Sequence, residues 1–132
     1  MQKIKDSSDN LLAIILRFDD DFKTGKNFLT KDNYEMQLAT FNLPKDTIID
    51  SHIHLEQKRI INSTSEVIAV MDGQIQISIY DEEKNLITKE VLSSGDISVL
   101  YRGGHGIKVL EDSKFFESKQ GPYFENKDKV KF

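Results

Sequence analysis

Near the middle of the chain, Asp72-Gly73 separates two strand-like runs, Glu66 to Met71 and Gln74 to Tyr80. In the second run Ile75, Ile77 and Ile79 alternate with Gln74, Gln76, Ser78 and Tyr80, the period of a half-buried strand. Two such runs around Asp-Gly predict a β-hairpin with a type I′ turn. The same pattern continues on both sides. Leu11 to Phe18 is short, apolar and partly β-branched and reads as a buried strand, with a two-turn helix as the other reading. Asp19 to Asn27 is a polar loop, Tyr34 to Leu43 alternates, Pro44-Lys45-Asp46 is a turn, and Thr47 to His54 is a strand. Glu56 to Ser65 is irregular. Further strands are expected at Leu86 to Leu92, Ile97 to Tyr101, Gly106 to Leu110 and Lys114 to Lys119, with turns at Asp81 to Asn85 and Ser93 to Asp96. Many short strands without a long amphipathic helix predict an all-β sandwich or barrel.

A chain of 132 residues suits one domain. Its body is expected over 11–124, with residues 1–10 as a flexible segment outside the core and 125–132 as a charged tail. The absence of cysteine excludes disulfides, iron–sulfur clusters and thiolate nucleophiles. A net charge of −4, with lysines and arginines scattered, gives no electrostatic case for nucleic acid. The longest apolar run, Leu11 to Leu16, is too short to span a bilayer and lacks the flanks of a signal peptide. No membrane partner is expected, and the expected location is cytoplasmic.

All three histidines fall where a metal site would use them. His52 and His54 form an H-x-H pair, which on a strand projects both imidazoles from one face. Glu66 opens the next apolar run, and His105 lies in a Gly-Gly-His-Gly turn. Imidazoles with a carboxylate make a mixed site suited to Fe, Mn, Ni, Cu or Zn, whereas an H-x-H pair by itself is also common on a solvated surface.

His52-Ile53-His54, followed by Glu66 and, seven residues on, Gly73, resembles the first motif of the cupin superfamily. Gly95-Asp96, a short apolar strand and His105 resemble the second. Leu55 to Ser65 makes a longer gap between the histidines and the glutamate than the family has, and Tyr101 stands where its proline is usual. Gly103-Gly104-His105-Gly106, Glu111-Asp112 and Lys119-Gln120-Gly121-Pro122-Tyr123 are similar to a narrower group of small cupins associated with bacterial surface polysaccharide biosynthesis. The resemblance implies a single-domain jelly-roll β-barrel. It implies His52, His54, Glu66 and His105 as ligands of one divalent transition metal (Fe, Mn, Ni or Zn). It also implies a homodimer, paired through an edge strand such as Leu11 to Phe18. The expected function is that of a metal-dependent enzyme on a small polar metabolite, a sugar or sugar nucleotide, by isomerisation, epimerisation or oxygenation. A non-catalytic cupin that binds a small-molecule ligand is the alternative.

Other residues have two readings each. Arg59 lies in the stretch between His54 and Glu66, which on this plan crosses the barrel mouth. Its planar fork suits a substrate carboxylate or phosphate, and a surface pair with Glu56 is the competing role. Glu117 and Lys119 share a strand face with Phe115. Turned inward, Glu117 is the candidate acid–base catalyst and Lys119 a substrate contact; turned outward, they are a solvated charged face. Tyr101 and Tyr123 are candidate substrate contacts or packed tyrosines. Gly103, Gly104 and Gly106 are expected to serve the backbone of the turn that aims His105.

Overall fold

A computed structural model describes residues 1–125 and 127–132. Within the expected tail, Asn126 therefore lies outside the described residues. The chain is all-β, with ten strands and one four-residue helix among the described residues. The strands are β1 Gln2–Lys5, β2 Leu11–Leu16, β3 Gly25–Phe28, β4 Ala39–Asn42, β5 Glu66–Asp72, β6 Gln74–Tyr80, β7 Leu86–Ser93, β8 Ile97–Leu100, β9 Gly104–Val109 and β10 Lys114–Lys119. The helix, α1, spans Phe18–Asp21. No helix among the described residues is long and apolar enough to cross a membrane.

Every pairing is antiparallel. One sheet has the order β1-β2-β8-β5-β10, a second β7-β6-β9, and β3 pairs with β4 alone. The main core lies where the inward residues of the first two sheets meet, with Leu12, Ile15, Ile68, Val70, Ile75 and Ile77 buried together. A second cluster covers the opposite face of the five-stranded sheet, where Ile14, Leu16, Val99 and Tyr101 pack beneath Tyr34, Met36 and Leu38. β2 is thus apolar on both faces because both are buried, which explains its continuous rather than alternating run.

Four expectations change. First, Asp72-Gly73 is a corner and not a hairpin: β5 pairs with β8 and β10, while β6 pairs with β7 and β9. A type I′ turn needs positive φ at both central residues, and here only Gly73 has it, at +79°. A Cβ on Gly73 would lie 2.4 Å from the Asp112 carbonyl oxygen, so the residue must be small for the chain to pass from sheet to sheet. Second, residues 2–5 are not a loose end, because β1 pairs with β2 and Ile4 is buried in the main core. Third, β2 lies between β1 and β8 and has no free edge through which a second chain could pair. Fourth, Thr47 to His54 forms no strand, and the sheets do not close into a barrel, since β10 and β1 remain edges.

The glycine–aspartate turn of the second motif has a structural role. Gly95 takes φ +89°, and Asp96 accepts hydrogen bonds from the Phe18 and Ser93 amides and from Arg17 Nη1 at 2.9 Å. Arg17 also reaches Glu90 at 3.2 Å, which ties β2, β7 and the β7–β8 turn together.

Candidate functional site

Glu66 opens β5, and Lys119 lies directly opposite it on β10, with Glu117 two residues away on the same face. That face also carries Ile68 and Val70, which point into the core. The alternation of the strand therefore puts Glu117, which stays exposed, and the half-buried Lys119 on the side of the sheet where they line an open cavity of about 930 Å³ together with Glu66, His105, Tyr80 and Arg102. A cavity of this volume is of the size that holds a small metabolite.

Glu66 is buried, and its carboxyl sits against that of Glu117. Burial pushes the Glu66 pKa up to about 7, and the hydrogen bond and charge of Glu117 push it the same way. His105 Nε2 lies 3.4 Å from Glu66 Oε2, longer than a normal hydrogen bond. Burial lowers the His105 pKa, against the pull of Glu117, so the imidazole is held toward its neutral form. The charges of Lys119 and Lys129 pull the Glu66 pKa the other way, but the Lys119 ammonium makes its hydrogen bond elsewhere. It bonds to Asp128 at 2.7 Å, a contact that raises its own pKa, and it stands over the Tyr123 ring at 5.3 Å.

The residues of the sequence reading divide accordingly. Glu66, His105, Glu117 and Lys119 come together at the cavity. Tyr123 is exposed and is not among the residues lining the cavity, and Lys119 stands over its ring. Tyr101 is a packed tyrosine, 5.7 Å from Tyr34 in an edge-on arrangement, with burial raising its pKa to about 12. Arg59 is exposed and does not line the cavity. His52 and His54 lie on the same exposed stretch, with their rings 5.1 Å apart and His52 Nδ1 2.9 Å from the Asp50 carbonyl oxygen. Neither histidine lines the cavity that holds Glu66 and His105, and among the described residues no group of three or more His, Asp or Glu side chains is placed to hold an ion.

The charged tail, expected outside the body of the domain, also contributes to the site. Lys129 to Phe132 line the cavity, with the Phe132 ring 5.2 Å from Tyr80 and Lys84 over it at 5.4 Å. Gly104 admits this ring, since a Cβ there would lie 2.7 Å from it. An apolar residue closing a charged segment was the one available sign. Gly103, at φ +73°, is required for a second reason: a Cβ would meet the Tyr80 carbonyl oxygen at 2.2 Å.

Two adjoining carboxyls with a neutral imidazole can hold a single proton near neutral pH, one group as acid and one as base. Comparison with protein-family models, with curated proteins and with solved structures finds no match to this chain.

Proposed function

We propose that the chain is an enzyme that moves a proton on a small polar metabolite, with Glu66 and Glu117 as the acid–base pair and a sugar or sugar nucleotide as the substrate class. The fold in this reading is a cupin-like jelly roll, on the strength of the two motifs. The observation that carries it is the contact of the two carboxyls beside His105 in the cavity. Burial keeps Glu66 protonated to near neutral pH, which suits it to the role of acid, and Glu117 is the carboxyl placed beside it to take the role of base. Abstraction of a proton next to a carbonyl and its return to another face or atom is an epimerisation or isomerisation. Oxygenation gains no support from these groups.

The test has two readouts. Small molecules that co-purify with the wild-type protein are identified by mass spectrometry, then incubated with protein in heavy water. The proposal expects deuterium to enter a carbon position with wild-type protein and not with Glu117→Gln, with the ligand retained by both. Retention by both without exchange in either would make the chain a binding module. Unchanged exchange in Glu117→Gln would remove the pair from the chemistry.

A further inference from the structure

β10 is an edge of the five-stranded sheet and β9 an edge of the three-stranded one, and both contribute to the cavity wall. The tail joins the two sheets. Asp128 bonds to Lys119 of β10 at 2.7 Å, and the Phe132 ring meets Tyr80 and Gly104 at the end of the β6–β9 pair. The side chains of the ion pair are only 21% and 13% exposed, so this is more than a loose surface contact. Tyr80 and Gly104 lie on the other side of their sheet from the buried Ile79. The tail therefore runs from the cavity side of one sheet to the outer side of the other, and the residues between its two contacts cross the cavity mouth. No described backbone hydrogen bond involves residues 128–132, so side chains alone hold the crossing.

Lys129 belongs to that crossing. It lines the cavity, and among the described residues no carboxylate lies within ion-pair distance of it. Its charge nevertheless reaches the cavity groups, since it pulls the pKa values of both Glu66 and His105 down. The neighbouring cations are otherwise occupied: Lys119 bonds to Asp128, and Lys84 stands over the Phe132 ring. Two of the cavity carboxylates are occupied as well, Asp128 by Lys119 and Asp81 by the amide and side chain of Asn85. With Glu66 held protonated, Lys129, Lys131 and Arg102 remain against Glu82 and Glu117. That balance is positive in a chain of net charge −4. Cations gathered in a concave wall draw anions to it.

We propose that the tail is a binding element of the cavity: held at Asp128 and Phe132, it places Lys129 over the mouth to bind an anionic group of the ligand, a phosphate or a carboxylate. Lys129 is then a binding residue, and Phe132 a positioning residue that acts through it. A primary ammonium on a flexible stem takes either anion as a point charge. This rests on reading the cavity as the working site, and adds that its ligand carries negative charge.

Inorganic pyrophosphate and malonate serve as probes, titrated at low salt into isotope-labelled protein, with the Gly104 and His105 amides followed by NMR. At least one should bind saturably, and the tighter of the two identifies the anion as phosphate or carboxylate. Lys129→Gln should weaken that binding about tenfold or more, and Lys129→Arg should keep most of it. Lys108→Gln, on β9 but outside the cavity lining, should leave it within about twofold. Phe132→Ala removes one of the two holds and should weaken it about threefold or more with Lys129 intact. Equal affinity of wild type and Lys129→Gln, the result expected of a loose counter-charge for Glu117, would overturn the proposal. So would a wild type that binds neither probe. Unchanged binding in Phe132→Ala would overturn the role of the tail in holding the lysine. Binding that depends on Lys129, with no deuterium exchange in any co-purified molecule, would fail only the catalytic reading of the cavity. Exchange without anion binding would fail only the binding role of the tail.

Discussion

Glu66 faces Lys119 across the β5–β10 pair, yet the lysine bonds to Asp128 and leaves the glutamate to Glu117. A cross-strand partner is thus present but committed elsewhere, and the carboxyl behaves as a buried acid.

The first prediction follows from that burial. Glu66 has a folded pKa near 7 against an ordinary value of 4.5, so the folded state binds the extra proton between these values. Its contribution to stability is full below about pH 4.5 and is lost as the pH rises through 7. Glu66→Gln should therefore stabilise the protein at pH 8 by about 2 kcal/mol, allowing for solvent in an open cavity, and by little at pH 4.5. His105, with its lowered pKa, acts in the opposite sense as the pH falls below about 6.5, so the comparison is made on the difference between wild type and variant. Urea unfolding across pH 4.5–8, in the presence of a chelator, checks it. A difference that does not grow with pH would count against the buried acid.

The second prediction concerns Asp128. Asp128→Asn frees the Lys119 ammonium, which then turns to the glutamate opposite it. The Glu66 titration, followed by carbon NMR of the labelled carboxyl, should move down toward the ordinary carboxylate range. No movement would mean that Asp128 is not what holds the lysine away.

The third prediction tests the corner between the sheets. Gly73→Ala places a Cβ against the Asp112 carbonyl at a positive φ. The expected cost is at least about 2 kcal/mol by urea unfolding. A type I′ hairpin at Asp72-Gly73 would lack the Asp112 contact, and the substitution would then carry only the smaller penalty of the backbone angle.

The fourth prediction separates core from surface. Ile15→Ala, in the main core, should cost about 2–5 kcal/mol. Met71→Ala, at the exposed end of β5, should stay within about 0.5 kcal/mol. Both are read from thermal or urea unfolding.

The strands from β5 to β10 were legible because each is short, apolar at alternate positions and bounded by turn residues. The side of β10 that faces inward was legible as a choice of two, and Phe115, Glu117 and Lys119 form the side that contains the cavity pair. Which strands pair was not legible at Asp72-Gly73. Period-two alternation reports a strand but not its neighbour, and the contact that decides the turn comes from Asp112, about forty positions away. Thr47 to His54 has the pattern of a strand without a partner in its own chain, since pattern alone does not supply an edge. The tail has the pattern of a solvated segment because its charges outnumber Val130 and Phe132, while the surface that meets Phe132 is made by Tyr80 and Gly104, far away in sequence.

The double burial of β2 gives the molecule an internal gauge. Its amides are flanked by β1 and β8 and covered on both faces, so small local openings give water no route to them. Deuterium should reach Ala13 to Leu16 only when the whole chain opens, and their exchange rate measures global unfolding from the native state. β10 has one open side and should exchange sooner. The gap between the two strands then reports how much of the molecule can loosen around the cavity while its centre stays shut.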